Sequence, residues 1–193
     1  MTSEYLWYAN RATGAVSLIL FTVVVLLGIA VRLRTRLPGL PRFGTVSLHR
    51  TLSLSAAVFL ALHIALAVLD SYVGITLTDV LVPFVSDYHP LWLGLGTVAL
   101  DLVLAVLVTS LLRARLGHRA WRATHWLAYG SWPIALVHGI GIGTDTGTDW
   151  MTWLTVACTA AVLTAGGIRV AHSARASRRT PASLLRTAEG ARS

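Results

Sequence analysis

The sequence predicts an all-α integral membrane protein, a five-span transmembrane helical bundle, from its composition, its apolar runs and the placement of its charges. Of its 193 residues, 55% are hydrophobic and only 12% are charged, and the mean hydropathy is +0.68. These values lie outside the composition of ordinary soluble domains. They argue against a cytosolic globular enzyme.

The apolar runs give the predicted spans, since a bilayer core about 30 Å thick needs about 20 mostly apolar helical residues. Five such runs are present: Thr13–Val31, Leu48–Leu69, Leu91–Leu112, Ala123–Ile142 and Trp150–Ile168. The first is too long for the apolar part of a signal peptide, so we interpret it as a retained span. Between the second and third, Asp79, Pro83 and Asp87 favour an interfacial or re-entrant segment over a sixth crossing.

The charges predict the orientation, because cytoplasmic loops carry the positive excess. All 16 basic residues are arginines, and all but Arg11 lie in or beside the connections that follow the first, third and fifth spans. The opposite connections contain several aspartates and no arginine. We therefore predict a plasma-membrane protein with its N-terminus outside and its C-terminus in the cytoplasm. The net charge of +8 is then explained by arginines that mark the cytoplasmic side of a protein in the lipid bilayer. No nucleic-acid partner is predicted.

The chain divides into a membrane domain, residues 1–172, and a basic cytoplasmic tail, residues 173–193. The tail is rich in Ala, Ser and Arg and poor in apolar residues. We expect it to be disordered or to lie on the anionic inner leaflet.

Histidines are the candidate functional residues, since ionisable groups inside a bilayer are costly and tend to be functional. His49 and His63 lie 14 residues apart on the second predicted span, and His125 and His138 lie 13 apart on the fourth. Both spans run outward, so His49 and His125 share the cytoplasmic depth, while His63 and His138 share the outer depth. The helical rise separates these two levels by about 20 Å.

Two levels of paired histidines predict two haem b sites. A neutral imidazole from each of two facing helices is the ordinary way to hold a six-coordinate b-type haem in a bundle. The angular positions of His125 and His138 fit this model less closely. Thirteen residues at about 100° each leave the two side chains about 140° short of a common helical face. We expect a kink or loosened turn near Gly130, Ser131 and Pro133 to re-aim the second ligand.

Charged residues near the histidines are candidates for contacts with haem propionates. Arg50 and Arg122 lie close to the inner histidines, although the positive-inside rule accounts for them equally well. Arg11 is the exception to that rule, which makes it the better candidate for an outer propionate. Asp101 falls near the middle of the third span, where we expect a carboxylate to face the bundle interior or to be protonated.

Three further histidines are weaker candidates for a functional role. His118 lies seven residues before His125, on the same helical face, and is the alternative inner ligand. His89 precedes Pro90 at the outer mouth of the third span and could bind a metal or the acceptor, although solvation explains it as well. His172 begins the tail, and we assign it no role.

These histidine spacings resemble those of the ferric reductase-like transmembrane domain. That domain is shared by NADPH oxidases, ferric reductases and the haem subunit of bacterial methionine sulfoxide reductase systems. Three sequence segments are also similar to that domain: LHRTLSLSAAVFLALH, WRATHWLAYGSWPIALVH and WYANRATGAVSLILF. The resemblance covers about residues 5 to 170. It implies that His49 with His125 holds an inner haem and that His63 with His138 holds an outer one.

The sequence departs from the oxidase members of that family in two ways. Those members have an additional N-terminal span, and they carry a cytoplasmic FAD and NADPH domain. The roughly 25 residues after Ile168 leave no space for such a domain, and no GxGxxG phosphate loop is present.

We therefore predict an oxidoreductase component that passes electrons across the membrane through two haems. Its donor would be a cytoplasmic flavoprotein or a quinone, and its acceptor would lie outside. One alternative is a quinone-linked haem subunit of a reductase complex. Another is a haem-free transport or assembly component whose histidines bind metal or protons.

Overall fold

The computed structural model describes residues 2–35, 39, 41–71 and 73–190, and within these ranges it contains helices, turns and short connections but no strand. The helices are α1 Thr2–Leu33, α2 Arg42–Leu69, α3 Leu77–Leu81, α4 Pro90–Leu111, α5 Arg113–His125, α6 Leu127–Ile142 and α7 Asp149–Gly190. The predicted all-α class is confirmed.

Four of the described helices are long and apolar enough to cross a membrane: Glu4–Leu33, Phe43–Leu69, Pro90–Leu111 and Asp149–Arg175. They coincide with four of the five predicted spans, so the chain is a multi-pass membrane protein. The remaining prediction falls on α6, which is apolar but has 16 residues. At the helical rise these residues extend about 24 Å, less than the full thickness of a bilayer core.

The connection between α2 and α4 contains only the short helix α3. Thr76 caps this helix, because its side chain accepts the Asp79 N–H while the Asp79 carboxylate accepts the Thr76 N–H. The Thr97 hydroxyl donates to the Asp79 carbonyl at 2.8 Å and ties the connection to α4. α4 then begins at Pro90, whose missing N–H costs nothing at the first helical position.

Asp101 is exposed on α4, whereas we expected it to face the interior. Gly94 and Thr97 share its side of the helix and are buried. They are covered by Phe84 and by the Asp79 carbonyl. Asp101 lies one turn beyond this cover, which explains its exposure, and its protonation stays a prediction.

α1 is the central helix of the bundle. It packs along α2 and also contacts α6 and α7, while α4 packs along α6. Its residues Val25 and Ile29 form a buried cluster with Trp132 of α6 and Cys158 of α7, whose thiol is free. Within this region the Trp132 indole N–H donates to the Thr22 hydroxyl at 3.0 Å.

Replacing Thr22 by valine should lower the free energy of unfolding by about 1–3 kcal/mol. The substitution keeps the side-chain shape but leaves the buried Trp132 N–H without its acceptor. Equilibrium unfolding in lipid–detergent micelles would measure the change. Thr109→Val is the matched control, because the Thr109 hydroxyl donates only to carbonyls of its own helix. Equal losses in the two variants would contradict the role of the bond between helices.

The last helix extends further than the sequence predicts. The fifth predicted span ends at Ile168, whereas α7 continues to Gly190 and passes through the boundary predicted at residue 172. We expected the tail to be disordered or to lie on the inner leaflet; its described residues are helical, and its Ala, Leu and Arg residues are good helix formers. Its placement on the inner leaflet stays a prediction. Arg36, residues 191–193 and hence Arg192 lie outside the described residues.

Candidate functional site

The structure brings the four histidines together in the predicted pairs. The rings of His49 on α2 and His125 at the end of α5 have centroids 6.5 Å apart, with planes at 72°. His63 on α2 and His138 on α6 line one cavity of about 290 Å³. Since His49 and His63 share one helix, the pairs lie at two levels about 20 Å apart.

The helix break beside His125 reduces the angular mismatch between His125 and His138. His125 ends α5 and His138 lies within α6, with Trp126 between the two helices. Trp126 N–H donates to the Ala123 carbonyl and Tyr129 N–H to the Trp126 carbonyl, so these turns span three residues instead of four. Such turns advance about 120° per residue instead of about 100°. They therefore reduce the angle of about 140° by which His125 and His138 were expected to miss a common face.

We predicted a kink or a loosened turn near Gly130, Ser131 and Pro133. α6 continues through all three residues, with Pro133 inside the helix, and a kink at this position stays a prediction. The chain tightens one to two turns earlier, around Trp126.

The outer histidines are oriented by backbone carbonyls. His63 Nδ1 lies 3.0 Å from the Asn10 carbonyl oxygen, and His138 Nδ1 lies 2.8 Å from that of Trp92. Because a carbonyl can only accept, each Nδ1 is the hydrogen-bond donor. Metal-ligating histidines commonly donate their other N–H to such an acceptor. In the neutral ring this hydrogen bond leaves Nε2 as the nitrogen that could bind a metal.

The inner pair has a spacing that would suit two ligands of one metal ion. Metal–imidazole bonds are about 2 Å long, so two rings on opposite sides of one metal ion have centroids about 6 Å apart. The separation of 6.5 Å between His49 and His125 is close to this value. Trp121 stacks on the His125 ring, with centroids 5.0 Å apart and planes at 29°.

Unpartnered polar atoms gather at both levels. Among the described residues, the buried side-chain atoms without a hydrogen-bond partner are Asn10 Oδ1, Ser17 Oγ, Thr45 Oγ1, His49 Nδ1 and His125 Nδ1. The first two belong to the outer cavity, and Thr45 lies one turn before His49. The Val24 backbone also approaches His49, but no atom meets hydrogen-bond geometry at its Nδ1. Buried polar atoms are normally paired, so this clustering fits sites built for an additional group.

Each candidate metal site consists of two histidine side chains. In the part of the chain that the structure describes, no group of three or more His, Cys, Asp or Glu side chains could hold a metal ion. Two imidazoles are the number that the axial positions of a six-coordinate haem iron take.

Arg11 lies at the outer cavity but already has a partner. Its Nε donates to the Asp145 carboxylate, and its Nη2 forms an ion pair with the same group. The guanidinium also lies 3.9 Å from the centroid of the Trp7 ring. A propionate here would therefore meet a guanidinium paired with Asp145. The inner candidates Arg50 and Arg122 are exposed.

The other histidines lie apart from the pairs. His125, not His118, lies beside His49; the exposed His118 ring is 5.7 Å from that of Trp121. His89 precedes α4 with a φ of 43°, and its ring lies 4.6 Å from that of Tyr88.

The groups that orient His63 and His138 could not be identified from the sequence. Asn10 and Trp92 act through their backbone carbonyls, which every residue has, so no side-chain pattern identifies them. Asp145 was counted among the outer aspartates, but its partner Arg11 is 134 residues away in the chain.

A comparison with protein families gives a match to the part of the chain that contains three of the four paired histidines. The family model described as Ferric reductase like transmembrane component matches residues 13–136. The matched range contains His49, His63 and His125, and it ends two residues before His138. Comparisons with the curated proteins and with solved structures gave no match.

Proposed function

Because the chain belongs to the ferric reductase like transmembrane component family, we propose that it carries electrons across the membrane through two b-type haems. The observation that carries this proposal is the pairing of four histidines at two levels, with unpartnered buried polar atoms around both. When bound, haem would supply the one-electron iron couple, while the protein supplies ligation, spacing and surroundings.

At the outer level, His63 and His138 would hold the haem iron. The carbonyls of Asn10 and Trp92 hold their Nδ1–H groups, which fixes ring orientation and raises the basicity of Nε2. A more basic ligand stabilises the oxidised iron. At the inner level, His49 and His125 would be the ligands, and the Trp121 indole supports the His125 ring by stacking.

The charge distribution supports the proposed topology. The N-terminus lies outside the plasma membrane, and α6 serves as a fourth crossing before α7, which gives five spans. The exposed arginines of α5 then face the cytoplasm, close to the inner histidine pair. An electron donor, either a flavoprotein or a quinone, would approach this inner side. The acceptor would meet the outer side, where Asp70, Asp79 and Asp87 lie.

A pyridine haemochrome assay on the purified chain should give about two haems per polypeptide, one for each histidine pair. Protein concentration would be taken from amino-acid analysis, so that the ratio does not depend on tryptophan absorbance. A ratio near one in a saturated preparation would contradict two haem levels. A preparation that gains no Soret band on haem addition would favour the haem-free transport or assembly alternative.

A further inference from the structure

α1 presents a glycine to each proposed haem ligand of α2. A Cβ atom built at Gly14 would lie 3.1 Å from His63 Cε1, and one at Gly28 would lie 3.5 Å from His49 Cε1. The two glycines are 14 residues apart, as are the two histidines. The antiparallel packing of α1 on α2 therefore brings a glycine to each level.

α4 presents a glycine to an outer ligand on α6. A Cβ atom at Gly96 would lie 2.6 Å from both Cε1 and Nδ1 of His138. The same ring donates to the Trp92 carbonyl, one turn earlier on α4. The His138 ring can reach this acceptor because no side chain projects from α4 at residue 96.

We infer that Gly14 and Gly96 are positioning residues that let the imidazole rings of His63 and His138 approach the neighbouring helix and so set their orientation toward the outer haem, whereas Gly28 makes only an ordinary contact with His49. This inference rests on the proposed function, because it concerns the rings as haem ligands. The nearest atoms that a Cβ would meet at each of these glycines belong to the imidazole ring, not to the partner backbone. The glycines therefore act on the ligands and not merely on the distance between helices.

The fourth ligand is held differently. His125 lies at the end of α5, where Trp121 stacks on its ring. The glycine contacts thus divide unequally between the sites, with Gly14 and Gly96 at the outer pair and Gly28 at the inner pair.

The contact distances predict a graded series of alanine variants. Gly96→Ala should lose the outer haem, because a Cβ 2.6 Å from the ring forces His138 to move. Gly14→Ala, at 3.1 Å, should keep both haems but shift the outer low-spin EPR signal and midpoint potential. Gly28→Ala makes an ordinary contact at 3.5 Å and should leave both haems unchanged.

The experiment compares haem content, redox titrations and ferric EPR spectra of the full chain in nanodiscs. Alanine favours a helix more than glycine does, so backbone propensity alone would stabilise every variant. A selective loss at one haem therefore reports on ring position. If Gly96→Ala does not accumulate in the membrane, the milder Gly14→Ala variant tests the inference. Its outer low-spin EPR signal should then differ from that of the wild type.

Two kinds of control separate positioning from general packing. Gly130→Ala and Gly166→Ala place a methyl group in open space and should match the wild type. Gly94→Ala lies on the same helix as Gly96 and overpacks it, since its Cβ would lie 2.2 Å from the Phe84 ring and near no histidine. Because the three atoms nearest to that Cβ all belong to Phe84, the variant should lower the yield of folded protein without changing the ratio of the two haems.

Two results would overturn the inference alone, in a wild type that holds both haems. One is an unchanged outer haem in both Gly96→Ala and Gly14→Ala, and the other is the same selective loss in Gly94→Ala. A wild-type chain that binds no haem would overturn the proposed function, and this inference with it.

Discussion

Alanine at His63 or His138 will remove the outer haem and stop electron transfer across the membrane, while the inner haem keeps its absorption spectrum. Each substitution deletes one of the two histidines of the outer cavity that we propose as haem ligands. Loss of groups that merely orient a ligand costs about 10–100-fold in metal affinity, so loss of a ligand itself should cost more than about 100-fold at that site. Low-temperature α-band spectra would count the remaining haem. Proteoliposomes with a trapped reductant and an outside acceptor would measure transfer.

Alanine at His49 or His125 should give the opposite result, because these rings form the inner pair. The outer haem should remain and be reducible only from outside. His118→Ala and His172→Ala are the controls, since both side chains are exposed and lie apart from the pairs. Loss of the inner haem in His118→Ala would show that the inner ligand was misassigned. Loss of both haems in every single variant would contradict two independent levels.

The pairing of the histidines could be predicted because it depends only on residue spacing and span direction. His49 and His63 lie on one continuous helix, so counting residues gives their separation directly. The same count was less accurate for His125 and His138. It assumed a uniform rotation per residue, whereas the chain tightens around Trp126 and starts a new helix there.

Contacts between distant segments were beyond the sequence analysis. Hydropathy merged the end of α5 with α6, because an average over apolar residues does not detect a change of helix at Trp126. Arg11 was assigned to an outer propionate because it is the exception to the positive-inside rule. Its ion pair with Asp145 could not be predicted, since only the folded bundle brings the connection that contains Asp145 near. The glycines did leave a signal, since Gly14 and Gly28 repeat the spacing of His49 and His63 on the adjacent span.

NADPH or NADH alone should not reduce the haems of this chain, whereas an added flavoprotein reductase should reduce them rapidly. The sequence contains no GxGxxG phosphate loop, and its arginine-rich connections are short. The exposed arginines of α5 form a positive surface next to His125, the proposed inner ligand at the end of that helix. A reductase with an acidic face would dock there, and its reduction rate should fall as salt rises because charges are screened over about 8 Å at physiological ionic strength.

Rapid-mixing reduction of the oxidised protein would test this division of labour, with NADPH alone and with the reductase over a range of salt concentrations. The double variant Arg115→Gln, Arg119→Gln should slow the reductase reaction at low salt and flatten its salt dependence, since both side chains are exposed on α5. Arg175→Gln is the matched control, because it removes an exposed arginine from α7 and leaves α5 intact. Fast reduction by NADPH alone, in a preparation free of flavin, would contradict the need for a separate donor. An unchanged salt dependence in the double variant would instead move the docking surface away from α5.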